Sequence, residues 1–193
     1  MAKAARHGAG RNQLRIIGGT WRSRRLDFPD VEGLRPTPDR VRETLFNWLM
    51  PVIHGARCLD LFTGSGALGL EALSRGAASV VLLDRDPHVI STLRKHLVTL
   101  NAQGATLHQQ SALDYLQGEA SPFDVIFLDP PFRQGLLEPV LGLLSSRGWL
   151  APGARVYIEQ ESEQAMVPLP EGWELLRELK AGQVACWLVR APV

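Results

Sequence analysis

The sequence is poor in the residues and segments that mark secreted, membrane and metal-binding proteins. Its 193 residues include only two cysteines, Cys58 and Cys186. Both stand in apolar runs, which favours buried reduced thiols over a disulfide or a metal site. The five histidines lack the spacing of metal ligands, so no metal is expected. No apolar run could span a bilayer and no signal peptide is recognisable, so the sequence predicts a cytoplasmic protein without a membrane partner.

Net charge is small as well, at +1, but it is unevenly distributed. Residues 1–42 hold ten Lys and Arg against four Asp and Glu, a net charge of +6, whereas residues 43–193 hold eleven against sixteen, a net charge of −5. A basic front on a mildly acidic body indicates a polyanionic partner bound at one end of the molecule. A solubilising tail is the alternative interpretation.

The residue pattern divides the chain into a flexible basic tail (1–12), an appendage (13–50) and a main domain (51–193). The main domain alternates short apolar runs with segments of helical periodicity, which predicts repeated strand–helix units. This alternation is typical of an α/β fold with a mostly parallel sheet covered on both faces. The last two apolar runs, at 173–179 and 183–189, predict an antiparallel hairpin at one edge of that sheet, which would then have seven strands.

The appendage is predicted to form a β-hairpin followed by one helix. Two strands, at 13–17 and 20–26, flank a pair of glycines. Thr37 is suited to cap the helix, because Pro38 fits the first helical position and Asp39 favours the positive helix end. The helix is expected to end near residue 50. Its buried stripe is expected to contain Val41, Leu45, Trp48 and Leu49, with Arg40 and Arg42 off that stripe.

A glycine-rich loop joins the first strand of the main domain to its helix. The glycines fit the pattern G-x-G-x-x-G, which allows a tight turn and lets a ligand lie against bare backbone. Asp84 ends the second strand, twenty residues after the first of these glycines. A carboxylate at that position can bind both hydroxyls of a ribose. The loop residues expected at the ligand are Asp60, Phe62, Gly64, Ser65, Gly66 and Gly69.

Asp60 distinguishes two classes of ligand for this loop. A dinucleotide would place its pyrophosphate here, and a neighbouring carboxylate would be unfavourable. S-adenosylmethionine instead carries an ammonium and a sulfonium group and no phosphate. The sequence therefore favours S-adenosylmethionine as cofactor, and a nicotinamide-dependent oxidoreductase is the alternative.

The fourth strand of the main domain ends in Asp129-Pro130-Pro131-Phe132. Because this strand belongs to the parallel run, its end should face the same crevice as the glycine loop. Asp129 and the Pro130 carbonyl can accept both hydrogens of an amine on a nucleic-acid base, and Phe132 can stack on the base. An aromatic amine is a poor nucleophile, so holding it in line with the S–CH₃ bond, about 3–3.5 Å away, would provide most of the remaining catalysis.

These motifs resemble a known family. The loop DLFTGSGALGLEALSRG, Asp84, the segment DPPF and the N-terminal run GLRPTPDRVRETLFNWL are similar to those of bacterial 16S rRNA (guanine-N2)-methyltransferases of family D. The resemblance extends over residues 15–190 and implies a Rossmann-like class I methyltransferase fold. It also implies methyl transfer to a guanine in the head of the small ribosomal subunit, by a monomer that acts on the assembled subunit and contacts ribosomal proteins.

The resemblance also implies residue roles. Asp60, Gly64, Ser65 and Gly66 would hold the methionine part of the cofactor, and Asp84 with Arg85 the ribose. The adenine would be bordered by Ser111 and Ala112, and the guanine would be held by Asp129, Pro130, Pro131 and Phe132. The residues expected near rRNA are Arg15, Trp21, Arg22, Arg24, Arg25, Arg35, Thr37, Arg40 and Arg42.

Two further interpretations remain open from the residues. An adenine-N6 methyltransferase acting on DNA or RNA would use the same site, although the short appendage favours RNA over DNA. A non-catalytic RNA-binding protein would keep the basic front without using the glycine loop. The acidic stretch Glu159, Glu161 and Glu163 is expected to be a solvated loop.

Overall fold

A computed structural model describes residues 12–30 and 36–193 of the chain. Nearly all of the predicted basic tail and Arg35 lie outside the described residues. The elements in chain order are β1 (Gln13–Arg15), β2 (Arg25–Asp27), α1 (Asp39–Ile53), β3 (Arg57–Asp60), α2 (Ala67–Ser74), β4 (Ser79–Asp84), α3 (Pro87–Thr99), β5 (Ala105–Gln109), α4 (Ala112–Leu116), β6 (Phe123–Leu128), α5 (Leu137–Ser146), β7 (Leu150–Glu161), β8 (Glu174–Ala181) and β9 (Val184–Arg190).

Strands β3 to β9 form one seven-stranded sheet in the order β5-β4-β3-β6-β7-β9-β8. The first five of these strands pair in parallel, and β9 pairs antiparallel with both β7 and β8. The predicted α/β fold with its antiparallel edge hairpin is confirmed. Strand order reverses at β3, since the chain builds outward to β5 and then returns to β6. In such sheets ligands bind at this reversal, beyond the carboxyl ends of the strands.

Apolar side chains cover both faces of the sheet. The first helix and α2 pack on one face through a cluster that includes Phe46, Leu49 and Phe127. Helices α4 and α5 pack on the other face through a cluster that includes Leu141 and Trp149. Both faces are therefore buried, as near-continuous apolar strands require. Within the described ranges, every helix is too short or too polar to cross a membrane.

The N-terminal hairpin is confirmed, but its predicted strand bounds are wrong. Only β1 and β2 pair, and residues 16–24 connect them in a longer loop instead of a tight glycine turn. The loop is held by α2, because the backbone N–H groups of Ile17 and Gly18 donate to the Glu71 carboxylate at 2.9 and 2.8 Å. Gly19 has a φ of +77°, and a side chain there would overlap the Ser74 carbonyl. Contacts with α2, and not a local glycine turn, therefore determine the conformation of this loop.

The first helix also differs from its prediction at both ends. Pro38 precedes it without a side-chain cap, so Thr37 is not the N-cap. The helix continues through Pro51 to Ile53, so the predicted boundary at residue 50 falls inside it. Arg42 faces inward and is 1% exposed, contrary to the predicted outer face. Its guanidinium donates to the Thr37 and Arg15 carbonyls and pairs with Asp39 at 2.5 Å, which satisfies a charge that burial would otherwise make costly.

Candidate active site

Three acidic residues stand at the carboxyl ends of adjacent strands. Asp60 on β3 lies opposite Leu82 on β4 and Phe127 on β6. Asp84 and Asp129 follow those partners by two positions, so both project from the same face of the sheet as Asp60. The three carboxylates therefore surround the point where the strand order reverses.

Asp60 lies beneath the glycine loop and not in the open cleft. It is 1% exposed, and its carboxylate accepts a hydrogen bond from the Gly69 N–H at 3.0 Å. Burial raises its pKa to about 7, and the charge of Asp84 acts in the same direction. Asp60 thus holds the first turn of α2 against the end of β3. Its role at the methionine part of the cofactor stays a prediction.

Asp84 is fixed at the edge of the cleft by backbone donors. One of its carboxylate oxygens accepts from the Gly64 N–H at 3.1 Å and the other from the Asp86 N–H at 2.9 Å. Burial raises the pKa of this half-exposed carboxyl. Gly66, with a φ of +83°, precedes α2 in a left-handed conformation that a side chain would strain. The loop and Asp84 are thus locked to each other.

The end of β6 brings Asp129 beside a residue that the sequence interpretation placed in a solvated loop. Leu128 pairs with Ile158 on β7, so Asp129 lies next to Glu159. Glu159 is 3% exposed, which shows that the prediction of a solvated residue is wrong. Its position could have been predicted, since Glu159 directly follows the apolar run 156–158, as Asp129 follows the apolar run that ends at Leu128.

A hydroxyl group lies between these two carboxyls. The Thr37 hydroxyl is 3.0 Å from a Glu159 oxygen and 3.4 Å from an Asp129 oxygen. The Tyr157 hydroxyl donates to the same Glu159 oxygen at 2.8 Å. Thr37 is buried, so its predicted contact with RNA is wrong, and the appendage instead contributes to the cleft.

The surroundings of these two carboxyls disfavour their charged forms. Burial raises the pKa of Asp129 well above its ordinary value, and the charges of Glu159 and Asp60 raise it further. Burial also raises the pKa of Glu159, against the hydrogen bonds from Tyr157 and Thr37. Among the described residues, neither carboxyl forms an ion pair with an arginine or lysine. One proton is therefore readily retained by the pair.

The Asp-Pro-Pro-Phe segment borders an open groove. Pro130 is buried, whereas Pro131 is exposed and Phe132 is 43% exposed, an unusual position for a large apolar ring. The other side of the groove includes Gln160 and Glu161 at the end of β7. Glu159 lines the groove as well, and Asp129 directly precedes its Pro130. A planar aromatic group could lie in this groove against Phe132.

The remaining cofactor candidates lie around the same strand ends. Ser111 caps α4 by accepting from the Asp114 N–H at 3.1 Å and is half-buried, while Ala112 is buried. Arg85 is exposed and Phe62 is half-buried. Ser65, Gly66 and Gly69 are buried within the loop. As ligand contacts all of these residues remain predictions.

The predicted RNA residues fall into two groups. Arg22 and Arg24 are exposed on the hairpin loop and Arg25 is exposed at the start of β2. None of them forms an ion pair with any residue that the structure describes. Arg40 is exposed on α1, and Trp21 is half-buried against the core. Arg15 is exposed and pairs with Asp39 at 2.7 Å. Arg42 is buried, and its predicted RNA contact is therefore wrong.

The chemistry of the donor set tests which ligand could bind. Three carboxylates surround a glycine loop, and within the described ranges none of them has an ion-pair partner, which fits a cationic ligand without phosphate. The described residues contain no cluster of His, Cys, Asp and Glu that could hold a metal ion. The sheet order, the loop and the acidic strand ends together define a Rossmann-like methyltransferase.

The chain belongs to the family described as Conserved hypothetical protein 95, whose model matches residues 14–190. It is 54% identical over 177 residues to Ribosomal RNA small subunit methyltransferase D of Escherichia coli strain K12, a match that covers 92% of this chain and 89% of that protein.

Solved structures show the same fold. The protein yhhF, a candidate methyltransferase of Escherichia coli, superposes with a TM-score of 0.88 at 50% identity, covering 94% of this chain and 99% of that one. The 16S rRNA N2 G1207 methyltransferase of Thermus thermophilus, solved with AdoMet and guanosine, has a TM-score of 0.72. At 23% identity, with 94% of this chain and 50% of that chain covered, it shows the fold alone.

Proposed function

We propose that this protein transfers a methyl group from S-adenosylmethionine to the exocyclic N2 amine of a guanine in 16S rRNA, in the assembled small ribosomal subunit. The observation that carries the proposal is the position of Asp129. It ends β6 beside the glycine loop of β3, and Pro130, Pro131 and Phe132 follow it along an open groove. The relatives named as small-subunit rRNA methyltransferases support the choice of RNA.

The cofactor would be held by the elements around β3. The loop from Phe62 to Gly66 would lie against its methionine part, and Asp84 would accept hydrogen bonds from its ribose hydroxyls. Asp60, behind the loop, would favour its positive charge without touching it. When bound, S-adenosylmethionine supplies a methyl group activated by a sulfonium centre.

The base would be held by the segment that follows β6. Asp129 and the Pro130 carbonyl would accept the two hydrogens of the guanine amine, and Phe132 would cover the ring. These acceptors bias the amine nitrogen towards a pyramidal, nucleophilic form. Catalysis then rests on position, because an oriented nucleophile needs neither a metal nor a covalent enzyme intermediate.

The basic hairpin loop would bind the rRNA backbone. Arg22 and Arg24 on the loop and Arg25 at the start of β2 are exposed and form no ion pair among the described residues, which leaves them available for phosphate contacts. Ribosomal proteins near the target would complete the surface that a monomer recognises.

Asp129→Ala tests this function. The variant is expected to lose methyl transfer to small subunits by about 10²–10³-fold, as when one preorganised hydrogen-bond partner of a reacting group is removed. Its affinity for S-adenosylmethionine, measured by calorimetry, should stay close to that of the parent protein. Near-normal transfer by Asp129→Ala would show that the assigned chemistry is wrong. Nucleoside mass spectrometry of the product separates N2-methylguanosine from N6-methyladenosine, and the latter would replace guanine with adenine as the target.

A further inference from the structure

We propose that Glu159 is a positioning residue that keeps its proton and thereby directs the Thr37 hydroxyl hydrogen to an ionised Asp129. The inference rests on the proposed function and concerns a residue outside the Asp-Pro-Pro-Phe segment. A single hydroxyl group, that of Thr37, lies between the carboxyls of Glu159 and Asp129.

The Thr37 hydroxyl has one hydrogen and two carboxyl neighbours, at 3.0 Å on Glu159 and 3.4 Å on Asp129. If Glu159 were ionised, it would accept from both Thr37 and Tyr157, and Asp129 would be left with the proton. A protonated Asp129 donates a hydrogen and is a poor acceptor for an amine. If Glu159 is protonated, its own hydrogen goes to Thr37, and Thr37 donates to ionised Asp129.

The hydrogen bonds then run in one direction, from Tyr157 through Glu159 and Thr37 to Asp129. Every donor in this chain has an acceptor, as buried polar groups require. Asp129 is half-buried, whereas Glu159, although it lines the groove, is 3% exposed and Tyr157 is fully buried. A charge costs less at the more exposed position, so the proton belongs on Glu159.

Other titratable groups face this pair from three strands: Asp60 on β3, Tyr157 on β7 and Cys186 on β9. The negative charge of Asp60 disfavours a second negative charge in the pair, whereas the Tyr157 hydroxyl donates to Glu159 and the Cys186 thiol brings no positive charge. Within the described ranges, no cation pairs with either carboxyl. The surroundings thus favour a single charge over two.

Variants at Glu159 give a readout that a merely structural role would not produce. A glutamine amide can donate to Thr37 and accept from Tyr157, as a protonated glutamate does. Alanine leaves the Tyr157 hydroxyl without its acceptor and the Thr37 hydroxyl without its donor, with Asp129 as the remaining neighbour of Thr37. Glu159→Ala is therefore expected to lower the methylation rate about tenfold. Glu159→Gln should recover that loss to within about twofold of the parent protein.

The pH profile of single-turnover methylation distinguishes the two proton positions. The low-pH limb of the profile, or acid limb, reports the protonation of Asp129. If Glu159 keeps the proton, Glu159→Gln leaves this limb in place. Thr37→Val then moves the limb to higher pH, because it removes a donor to ionised Asp129. If Asp129 holds the proton, Glu159→Gln moves the acid limb down by about one pH unit or more, because a like charge has been removed. That shift, or equal losses in the glutamine and alanine variants, would overturn the proposal.

Two controls separate this proposal from the function on which it rests. Glu163→Gln changes an exposed carboxylate near the same strand end and should alter neither rate nor profile. Thermal denaturation and cofactor calorimetry show whether each variant is folded. An active Asp129→Ala enzyme would end both proposals, whereas an inactive one with a shifted Glu159→Gln profile would end only the proton assignment.

Discussion

Two buried acidic clusters in this protein are built in opposite ways. Glu71, fully buried on α2, accepts from two backbone N–H groups of the hairpin loop and pairs with Arg75 at 2.8 Å and Arg42 at 3.5 Å. Asp129 and Glu159 have hydroxyl partners but, in the described chain, no cation. The first cluster is neutralised and joins the appendage to the sheet. The second keeps uncompensated acidity at the cleft, which is the condition that chemistry on an amine requires.

The largest expected effect comes from breaking the neutralised cluster. Glu71→Ala removes the acceptor for the hairpin loop and leaves the buried Arg42 short of a partner. The free energy of unfolding should fall by about 3–5 kcal/mol in urea denaturation. The matched variant Glu174→Ala loses only an exposed pair with Arg190 and should cost less than about 1 kcal/mol. Equal costs for the two variants would contradict the anchoring role of Glu71.

A smaller effect is expected at Asp60, the buried carboxyl behind the glycine loop. The pKa of Asp60 lies near 7, above its ordinary value of 3.8. A carboxyl raised by folding stabilises the native state below its unfolded pKa, and this stabilisation is lost as the pH rises through the folded pKa. Asp60→Asn should therefore gain stability relative to the parent protein between about pH 4 and pH 7, by on the order of 2–4 kcal/mol.

Denaturant titrations at pH 4.5 and pH 8 measure that difference. Glu119→Gln, which alters an exposed carboxylate, serves as the control and should give the same difference from the parent protein at both values. An Asp60→Asn variant with equal offsets at the two pH values would show that Asp60 is not destabilised by its surroundings.

The smallest effect per residue is expected on the exposed surface, where neither kind of cluster exists. Replacing Arg22, Arg24 and Arg25 singly with glutamine should each reduce the slope of log affinity for small subunits against log salt concentration by about one. Arg57, which is exposed and pairs with Asp124 at the opposite end of the strands, is a matched control. An unchanged slope in the three variants would place the RNA surface elsewhere.

The alternation of strands with helices and the positions of the acidic strand ends follow from patterns within the chain. Apolar runs of strand length alternate with helical periodicity, and Asp60, Asp84 and Asp129 come directly at the ends of such runs. Parallel pairing brings such ends together at one edge, so the cleft is predictable without knowledge of any contact.

The roles of Arg42, Thr37 and Glu159 depended on contacts between distant segments. Arg42 stands four positions before Phe46 and seven before Leu49 on α1, so helical spacing does place it on the buried face. A buried arginine can be predicted there only if its acidic partner is known, and that partner, Glu71, lies 29 residues further along the chain. The local sequence favours Thr37 as a helix cap, but its hydroxyl forms a hydrogen bond with Glu159, 122 residues further along the chain.

The start of α1 has a consequence for how such a protein can acquire a new target. Within six residues, this segment places the Thr37 hydroxyl against Glu159 and the Arg42 guanidinium against the Arg15 carbonyl of the hairpin. A chimera that grafted another protein's N-terminal segment, through the position of Arg42, onto this sheet would have to reproduce both placements at once. Target preference is therefore expected to diversify through substitutions on the outer surface of the hairpin, and not through exchange of the whole segment.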